Sequence, residues 1–214
     1  AELWDGVRFV MSHRIFAVLI PLTYANMFFG VSYMQLIPVF ADAYGSQSDQ
    51  ALGFLFGLAG VGSMSGTFGI GRARACLPVG WLMIIGSLVG SAAIISFGVW
   101  THFGPDPSGY ANPIISPMFA ISAALMFIAG TFNSMFMISS MTVLQLRVPT
   151  ELRGRVMGIY AMTFSLIAVG GLLTGGGAQL VNASFAVAAS ATVILTIMVL
   201  VTITQPVLRG LRAE

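Results

Sequence analysis

Long apolar runs, separated by short polar or charged segments, follow one another along the whole chain. A helix needs about 20 apolar residues to cross a hydrocarbon layer roughly 30 Å thick. The runs therefore predict an all-α integral membrane protein whose helices are its membrane spans. The six predicted spans cover residues 15–40, 51–70, 77–100, 114–146, 156–181 and 183–204. Residues 1–14 precede the first span, and residues 205–214 form a tail after the last.

The last two spans come from a single uncharged stretch that runs from residue 156 to residue 208. That stretch is too long for one crossing. The segment TGGGAQLVNAS at residues 174–184 interrupts it with successive glycines and with Asn182. Glycine and asparagine favour turns, so we expect a short turn between two antiparallel spans.

The composition also indicates a lipid environment. The chain has 214 residues, of which 57% are hydrophobic and 7% are charged, and its mean hydropathy is +0.93. A soluble domain carries about 25% charged residues, so this chain cannot cover its surface with polar groups. A single cysteine excludes a disulfide framework, and no His/Cys cluster has the spacing of metal ligands. We therefore expect no metal and no other cofactor.

All the arginines fall on one side of the predicted topology. They are Arg8, Arg14, Arg72, Arg74, Arg147, Arg153, Arg155, Arg209 and Arg212. The opposite side carries Asp42, Asp49, Asp106 and His102, but no lysine or arginine. Short loops rich in arginine stay in the cytoplasm, so both termini are expected there. This one-sided placement indicates a lipid bilayer, and not nucleic acid, as the partner of the basic residues.

Polar side chains inside the spans are candidates for a substrate cavity, because such groups are costly in lipid and often mark a pathway. In the first span, Tyr24 and Gln35 share one helical face. Asn26 and Tyr33 share roughly the opposite face. Only one pair is expected to line a cavity, and the sequence leaves the choice between them open.

Gly30 and Pro38 allow the first span to bend or break, as spans of many transporters do. The fourth span adds Phe132, Asn133 and Met137 to the cavity candidates. Methionine and aromatic side chains form adaptable surfaces for varied apolar ligands. The alternative is that methionine fills helix contacts and that Asn133 bonds a neighbouring helix. No charged residue or histidine lies well inside any predicted span.

The second span carries glycines in two pairs, Gly53 with Gly57 and Gly62 with Gly66. Each pair is spaced four residues apart, which lets membrane helices pack backbone to backbone. We expect these glycines to serve helix packing. The same span contains the serine-bearing segment GSMSG, but neither histidine lies near enough to act as its base. We therefore expect no catalytic residue and no enzymatic activity.

Charge is concentrated at one corner, in the segment VPTELRGRVMGIY at residues 148–160. Thr150 is placed to cap the helix that follows. Glu151 can pair with Arg155 four residues on, and Gly154, next to Arg153, allows another backbone to approach closely. The arginines could simply anchor the helix end near anionic lipid. Alternatively, the corner is a latch that is made in one conformation and broken in another.

This segment resembles the loop between the tenth and eleventh helices of the major facilitator superfamily, in its branch of multidrug and siderophore exporters. Residues 35–67 are similar to that branch's seventh helix, outer loop and eighth helix. Residues 2–14 are similar to its amphipathic cytoplasmic segment before the seventh helix. The resemblance implies the C-terminal half of a twelve-helix fold, with the N-terminal six-helix half as the missing partner. It also implies that Arg72 belongs to a conformational gate, although the signature acid is absent from residues 68–78.

The resemblance further implies secondary active transport. The whole protein would export a small amphipathic molecule, such as a drug or siderophore, across a bacterial inner membrane by alternating access. Protons would be the coupling ion. Two alternatives stay open, which are a lipid or solute transporter of the same fold and a membrane scaffold without transport activity.

Overall fold

The computed structural model describes residues 8–211. Residues 1–7 and 212–214 lie outside the described residues, and with them Arg212 and part of the predicted amphipathic segment. The described chain is helical along most of its length and contains no strand. Its α-helices are α1 (Arg14–Ala25), α2 (Ile37–Ala41), α3 (Ser48–Cys76), α4 (Val79–Phe103), α5 (Pro117–Arg147), α6 (Thr150–Ala161), α7 (Ser165–Leu180), α8 (Ala183–Thr204) and α9 (Pro206–Arg209).

Five helical stretches in the described chain are long and apolar enough to cross a membrane. They are Arg14–Cys76, Val79–Phe103, Pro117–Arg147, Thr150–Leu180 and Ala183–Thr204. Short turns or loops separate these stretches, and side-chain caps begin two of the helices. Ser116 accepts a hydrogen bond from the Phe119 N–H at the start of α5, and Asn182 accepts one from the Phe185 N–H at the start of α8. The helices indicate an all-helical, membrane-embedded protein.

The first and longest stretch changes direction at Gly45. Its parts are α1, a π-helix at Asn26–Val31, a 3-10 helix at Ser32–Leu36, α2, a 3-10 helix at Asp42–Gln47, and α3. Gly45 has a φ of 57° and a ψ of −122°, which are backbone angles that favour glycine. Buried residues on both sides of this turn, at 33–44 and at 51–59, share one apolar cluster. The two limbs of the stretch therefore meet near the turn, within this cluster.

Two buried apolar clusters occupy opposite ends of the helical bundle. The Gly45-end cluster includes Phe40, Leu55, Phe97, Met126 and Val187. The arginine-end cluster includes Phe16, Met83, Phe136, Leu144 and Val156. The central helix α5 contributes its first half to one cluster and its second half to the other. The core thus runs the length of the bundle along α5.

The described arginines lie at the end of the bundle that holds the arginine-end cluster, so this end is basic. The Nη2 atom of Arg74 donates to Thr142 Oγ1 on α5 at 2.6 Å. The Nε and Nη2 atoms of Arg14 donate to Gln205 Oε1 at 3.2 and 3.1 Å. Asp42 lies in the turn at the opposite end, beside the Gly45-end cluster. The described arginines and Asp42 therefore lie at opposite ends of the bundle, while Glu151 lies with the arginines.

Close backbone contact holds α3 against α5. At Gly62 and Gly66, an added Cβ would overlap backbone carbonyl oxygens of α5. Gly53 and Gly57 differ, because no described residue lies within 4 Å of their Cβ positions. The glycines of α3 thus divide into two that pack inside this bundle and two on an uncovered face.

We expect Gly62→Ala to destabilise the purified chain, because the new methyl group would overlap the Phe127 carbonyl. Such overpacking costs about 1–3 kcal/mol. The matched variant Gly57→Ala has open space for its methyl group. It is expected to be neutral or more stable, by up to about 1 kcal/mol, since alanine favours a helix over glycine. Thermal unfolding in detergent measures both variants, and equal stability would contradict the contact between α3 and α5.

Candidate functional site

The first helical stretch is irregular in its middle, between α1 and α2. Residues Asn26–Val31 form a π-helix and residues Ser32–Leu36 form a 3-10 helix. An added Cβ at Gly30 would come within 2.9 Å of Asn26 Oδ1. Pro38, at the start of α2, has no N–H to donate. π-Helical turns are frequent at functional sites, and transporters use broken helices at their binding sites.

The four polar candidates of this stretch lie in two different environments. Asn26 and Tyr33 are buried, with 4% and 3% of their surface exposed. Tyr24 is half-buried and Gln35 is exposed. Of the two pairs that the sequence left open, Tyr24 and Gln35 are the more exposed pair.

Asn26 is held by a hydrogen bond to α5. Its Nδ2 atom donates to Asn133 Oδ1 at 3.1 Å. Beside this pair is a cavity of about 10 Å³, which Ser87 and Ser91 of α4 also line. The Ser87 hydroxyl is buried and has no partner among the described residues. A polar cavity of this size has room for one water molecule, which would join the first stretch, α4 and α5.

Tyr24 and Gln35 attach the first stretch to α6 and α7 by hydrogen bonds. The Tyr24 hydroxyl donates to the Ile159 carbonyl of α6 at 2.6 Å. The Nε2 atom of Gln35 donates to the Ile167 carbonyl of α7 at 3.0 Å. We refer to these two side chains and their two acceptors as the polar seam. The seam contains neutral groups whose hydrogen bonds can be exchanged for bonds to the polar part of a small molecule.

The three candidates on α5 are half-buried in helix contacts. Asn133 bonds Asn26, as described above. The backbone of Phe132 lies against Gly86 of α4, where an added Cβ would come within 2.7 Å of the Phe132 carbonyl oxygen. Met137 packs against the arginine-end cluster. The structure thus places each of these residues at a contact between helices.

Sequence reasoning missed several polar residues that support the irregular segment. The hydroxyls of Ser32 and Thr174 lie 3.2 Å apart and are both buried. Ser87 and Ser91 face the small cavity beside Asn26. The repeated Gly-Ser pair in GSLVGS, at residues 86–91, was the available signal for a small polar face on α4. The partner of Ser32 had no local signal, because it is distant in sequence.

The charged corner lies at the start of α6. The helix begins at Thr150, and Pro149 occupies the capping position without a side-chain hydrogen bond. The prediction that Thr150 caps this helix is therefore wrong, because Thr150 already has a helical position. Glu151 lies in the first turn, where a negative charge is favourable. Glu151 and Arg153 are exposed, and Arg155 is half-buried.

Gly154 and Arg72, the other two gate candidates, are also exposed. No described residue lies within 4 Å of the Cβ position of Gly154. The close approach of a second backbone that the sequence suggests here is therefore not made by residues 8–211. Arg72 lies near the end of α3, two residues before Arg74 with its bond to Thr142. Four of the gate candidates are thus exposed at the arginine end, and they are Arg72, Glu151, Arg153 and Gly154.

No protein-family model, curated protein or solved structure matches this chain. The function of the site is therefore inferred from its own chemistry. Within residues 8–211, no three His, Cys, Asp or Glu side chains are grouped so that they could hold a metal ion. The arrangement offers neutral hydrogen-bonding groups in an apolar helical frame. Such a frame suits the binding of an uncharged or amphipathic molecule.

We expect Asn133→Ala to destabilise the protein by about 1–3 kcal/mol, because it leaves a buried amide of Asn26 unpaired. Tyr24→Phe removes a hydrogen bond at a half-buried position, and its expected cost is about 0.5–1.5 kcal/mol. Replacing Asn26 and Asn133 together by leucine should recover part of the loss, since neither amide is then left unpaired. Thermal unfolding of the purified variants measures these effects. A larger loss of stability for Tyr24→Phe than for Asn133→Ala would contradict the distinction between the buried pair, Asn26 and Tyr33, and the more exposed pair, Tyr24 and Gln35.

Proposed function

We propose that this chain is one half of a secondary active transporter of the major facilitator type. The whole transporter would export a small amphipathic molecule by alternating access. The observation that carries this proposal is the irregular segment at residues 26–36, with the polar seam beside it. A membrane scaffold has no need of a broken span, whereas transporters use such spans to form their binding sites.

The proposed topology has six crossings. At 1.5 Å per residue, a helical stretch of 63 residues extends for about 95 Å, which is roughly three times the thickness of the hydrocarbon layer. The stretch is not straight, because it turns at Gly45. Its limb before Gly45 begins in the arginine-end cluster at Phe16, and its limb after Gly45 returns to that end at Arg74. We therefore assign two crossings to Arg14–Cys76 and one to each of the other four stretches.

The proposed orientation places the arginine end in the cytoplasm, since positively charged short segments stay on that side. Both ends of the chain then face the cytoplasm, and the turn at Gly45 faces outward. The resemblance to bacterial exporters makes the bacterial inner membrane the proposed location.

The proposed substrate is small and amphipathic, in the manner of a drug or siderophore. The polar seam offers uncharged groups, and the half-buried candidates Phe132 and Met137, which lie in helix contacts here, would add adaptable apolar surface where those contacts open. A charged substrate or a transported proton usually needs an ionisable partner inside the membrane. The spans of this chain supply none, so we assign proton coupling to the other half of the transporter.

The proposed partner is an N-terminal half of six helices that covers the glycine faces left open here. Gly53 and Gly57 on α3, and Gly154 and Gly158 on α6, have no described residue within 4 Å of their Cβ positions. In both helices the glycines are four residues apart, which is the spacing for close helix packing in lipid. The same two helices carry the outward-facing arginines Arg72 and Arg153.

These arginines would form the conformational gate between the halves. An exposed guanidinium can bond a carboxylate or the carbonyls at a helix end through its planar fork, which lysine cannot reproduce. Glu151, beside Arg153, would take part as an acceptor. Contacts made when the halves meet at the arginine end would break when they separate there, as in other two-state transitions.

The orientation can be tested by thiol labelling of intact cells. We expect a cysteine at Ser46, in a Cys76→Ser background, to react with an impermeant maleimide from outside. The native Cys76, which is exposed at the arginine end, should react only after the membrane is opened. Labelling of both positions from the same side would contradict a crossing by α3, and the reverse pattern would contradict the orientation.

Transport tests the function directly. In proteoliposomes that contain this chain with its second half, we expect export of an amphipathic dye. Tyr24→Phe should slow that export about fivefold, which corresponds to one hydrogen bond of about 1 kcal/mol. Tyr33→Phe makes the same chemical change at a position that is 3% exposed, and should transport normally.

The chain alone, without its second half, should transport nothing. Robust transport by residues 1–214 alone would contradict the proposed partnership. Failure of the paired halves to transport any of a panel of amphipathic dyes would favour a scaffold. Equal losses for Tyr24→Phe and Tyr33→Phe would show that the polar seam has no special role.

A further inference from the structure

A second cavity lies at the Gly45 end of the bundle and shares no residue with the polar seam. It has a volume of about 200 Å³. Its walls include Phe40, Tyr44, Phe97, Met118, Ser122 and Ser184. Val39, which is 51% exposed, stands at its edge. The cavity is therefore within reach of a molecule at the protein surface.

Ser122 contributes a buried hydroxyl to this wall, beside the hydroxyl of Tyr44. Ser122 is 1% exposed, and its Oγ atom makes no well-formed hydrogen bond among the described residues, but the Tyr44 hydroxyl lies close enough to interact with it. A serine inside a helix often bonds the carbonyl four residues earlier, which here belongs to Met118. The Trp100 Nε1 atom donates to that carbonyl at 3.2 Å, and the helical N–H of Ser122 takes its other lone pair. The Ser122 hydroxyl therefore interacts with the Tyr44 hydroxyl at the cavity wall and not with its own helix.

The other hydroxyls of α4 and α8 at this wall already have partners. Thr101 Oγ1 donates to the Phe97 carbonyl at 2.9 Å and lies 3.0 Å from Ser184 Oγ. The polar groups of the cavity that can bond a ligand are therefore the neighbouring hydroxyls of Ser122 and Tyr44. A ligand that bonds them needs one hydrogen-bonding group on an otherwise apolar body.

The remaining wall suits an aromatic ring. The rings of Phe40 and Phe97 meet edge to face, with centroids 5.0 Å apart and planes at 75°. Aromatic rings prefer such arrangements with one another. An apolar cavity of about 150 Å³ accepts benzene, so a cavity of about 200 Å³ has room for a ring with a small substituent.

We propose that this cavity is a binding site for a small aromatic alcohol of about the size of phenol. The ring would lie against Phe40 and Phe97, and its hydroxyl would exchange a hydrogen bond with Ser122. An acyl chain of a lipid fits less well, because it has no polar group to offer Ser122 inside the cavity. The inference does not rest on the proposed transport function, since binding can be measured on this chain without any second half.

The test uses the full chain in lipid nanodiscs and a phenol that carries a small photoreactive diazirine. Adducts mapped by mass spectrometry are expected on the wall residues Phe40, Tyr44 or Met118. Labelling should saturate with probe concentration. Unlabelled phenol should compete about fivefold better than toluene, because toluene cannot bond Ser122.

Three variants make the test specific, and thermal unfolding confirms that each one folds. Ser122→Ala should abolish the preference for phenol over toluene. Ser139→Ala is the matched control, because Ser139 is also fully buried on α5 and its hydroxyl makes no well-formed hydrogen bond among the described residues, but it does not line this cavity. It should keep the preference. Val39→Trp fills the exposed edge of the cavity without altering the core, and should reduce labelling at least fivefold even if Ser122→Ala fails to fold.

Labelling that rises linearly with probe concentration and follows surface exposure would mean that the cavity holds only water, and would overturn the proposal. Undiminished labelling in Val39→Trp would do the same. An equal preference for phenol in Ser122→Ala and Ser139→Ala would show that the Ser122 hydroxyl does not select the ligand.

Discussion

Contact between helix backbones at glycine is the interaction on which the rest of this structure depends. In lipid, apolar side chains gain little by leaving their surroundings, because hydrocarbon is as apolar as leucine. Helices then associate where small residues let many atoms of two backbones touch. Gly62 and Gly66 provide this contact between α3 and α5, Gly86 provides it between α4 and α5, and Gly98 provides it between α4 and α8. These contacts fix α5 at the centre and so fix the position of Asn133.

The first helical stretch is attached in a different way. Gly170 allows α7 to approach the backbone of this stretch near Phe28, and Phe16 and Ile37 are buried in the two apolar clusters. The polar seam and the Asn26–Asn133 pair add hydrogen bonds to this packing. Exchanging one hydrogen bond for another costs little, whereas separating packed backbones loses many contacts together. The hydrogen bonds of the polar seam are therefore the contacts of the first stretch that can be exchanged at least cost.

Much of the helical structure could be predicted from the sequence, because twenty apolar residues in succession have few other stable states. The position of the described arginines at one end could also be predicted, since all the arginines lie between or beside the same ends of the runs. The environment of the polar residues could not be predicted. Tyr24 and Asn26 are two positions apart, yet Asn26 is buried and Tyr24 is half-buried. Contacts with α5 and α6, which are distant in sequence, decide this difference. Such contacts join residues more than a hundred positions apart.

The spacing of the glycines predicts close helix packing, but it does not show which helix each glycine contacts. Gly57 and Gly62 belong to the same helix and to the same kind of motif, yet one faces open space and the other touches α5. The position of the Ser122 hydroxyl beside Tyr44 was similarly invisible in the sequence, because Trp100 bonds the Met118 carbonyl that the serine could otherwise use. In each case the deciding fact is which neighbour reaches the residue in three dimensions.

In the proposed transporter, a second helical half covers the open faces of α3 and α6 in the membrane. A photocrosslinking amino acid at Gly57 or Gly158, in the protein in its native membrane, tests this contact, with Leu200 of α8 as the control on an exposed apolar face. We expect crosslinks to a polypeptide from both glycine positions and lipid adducts from Leu200. Lipid adducts alone from all three positions would show that no second half covers these faces.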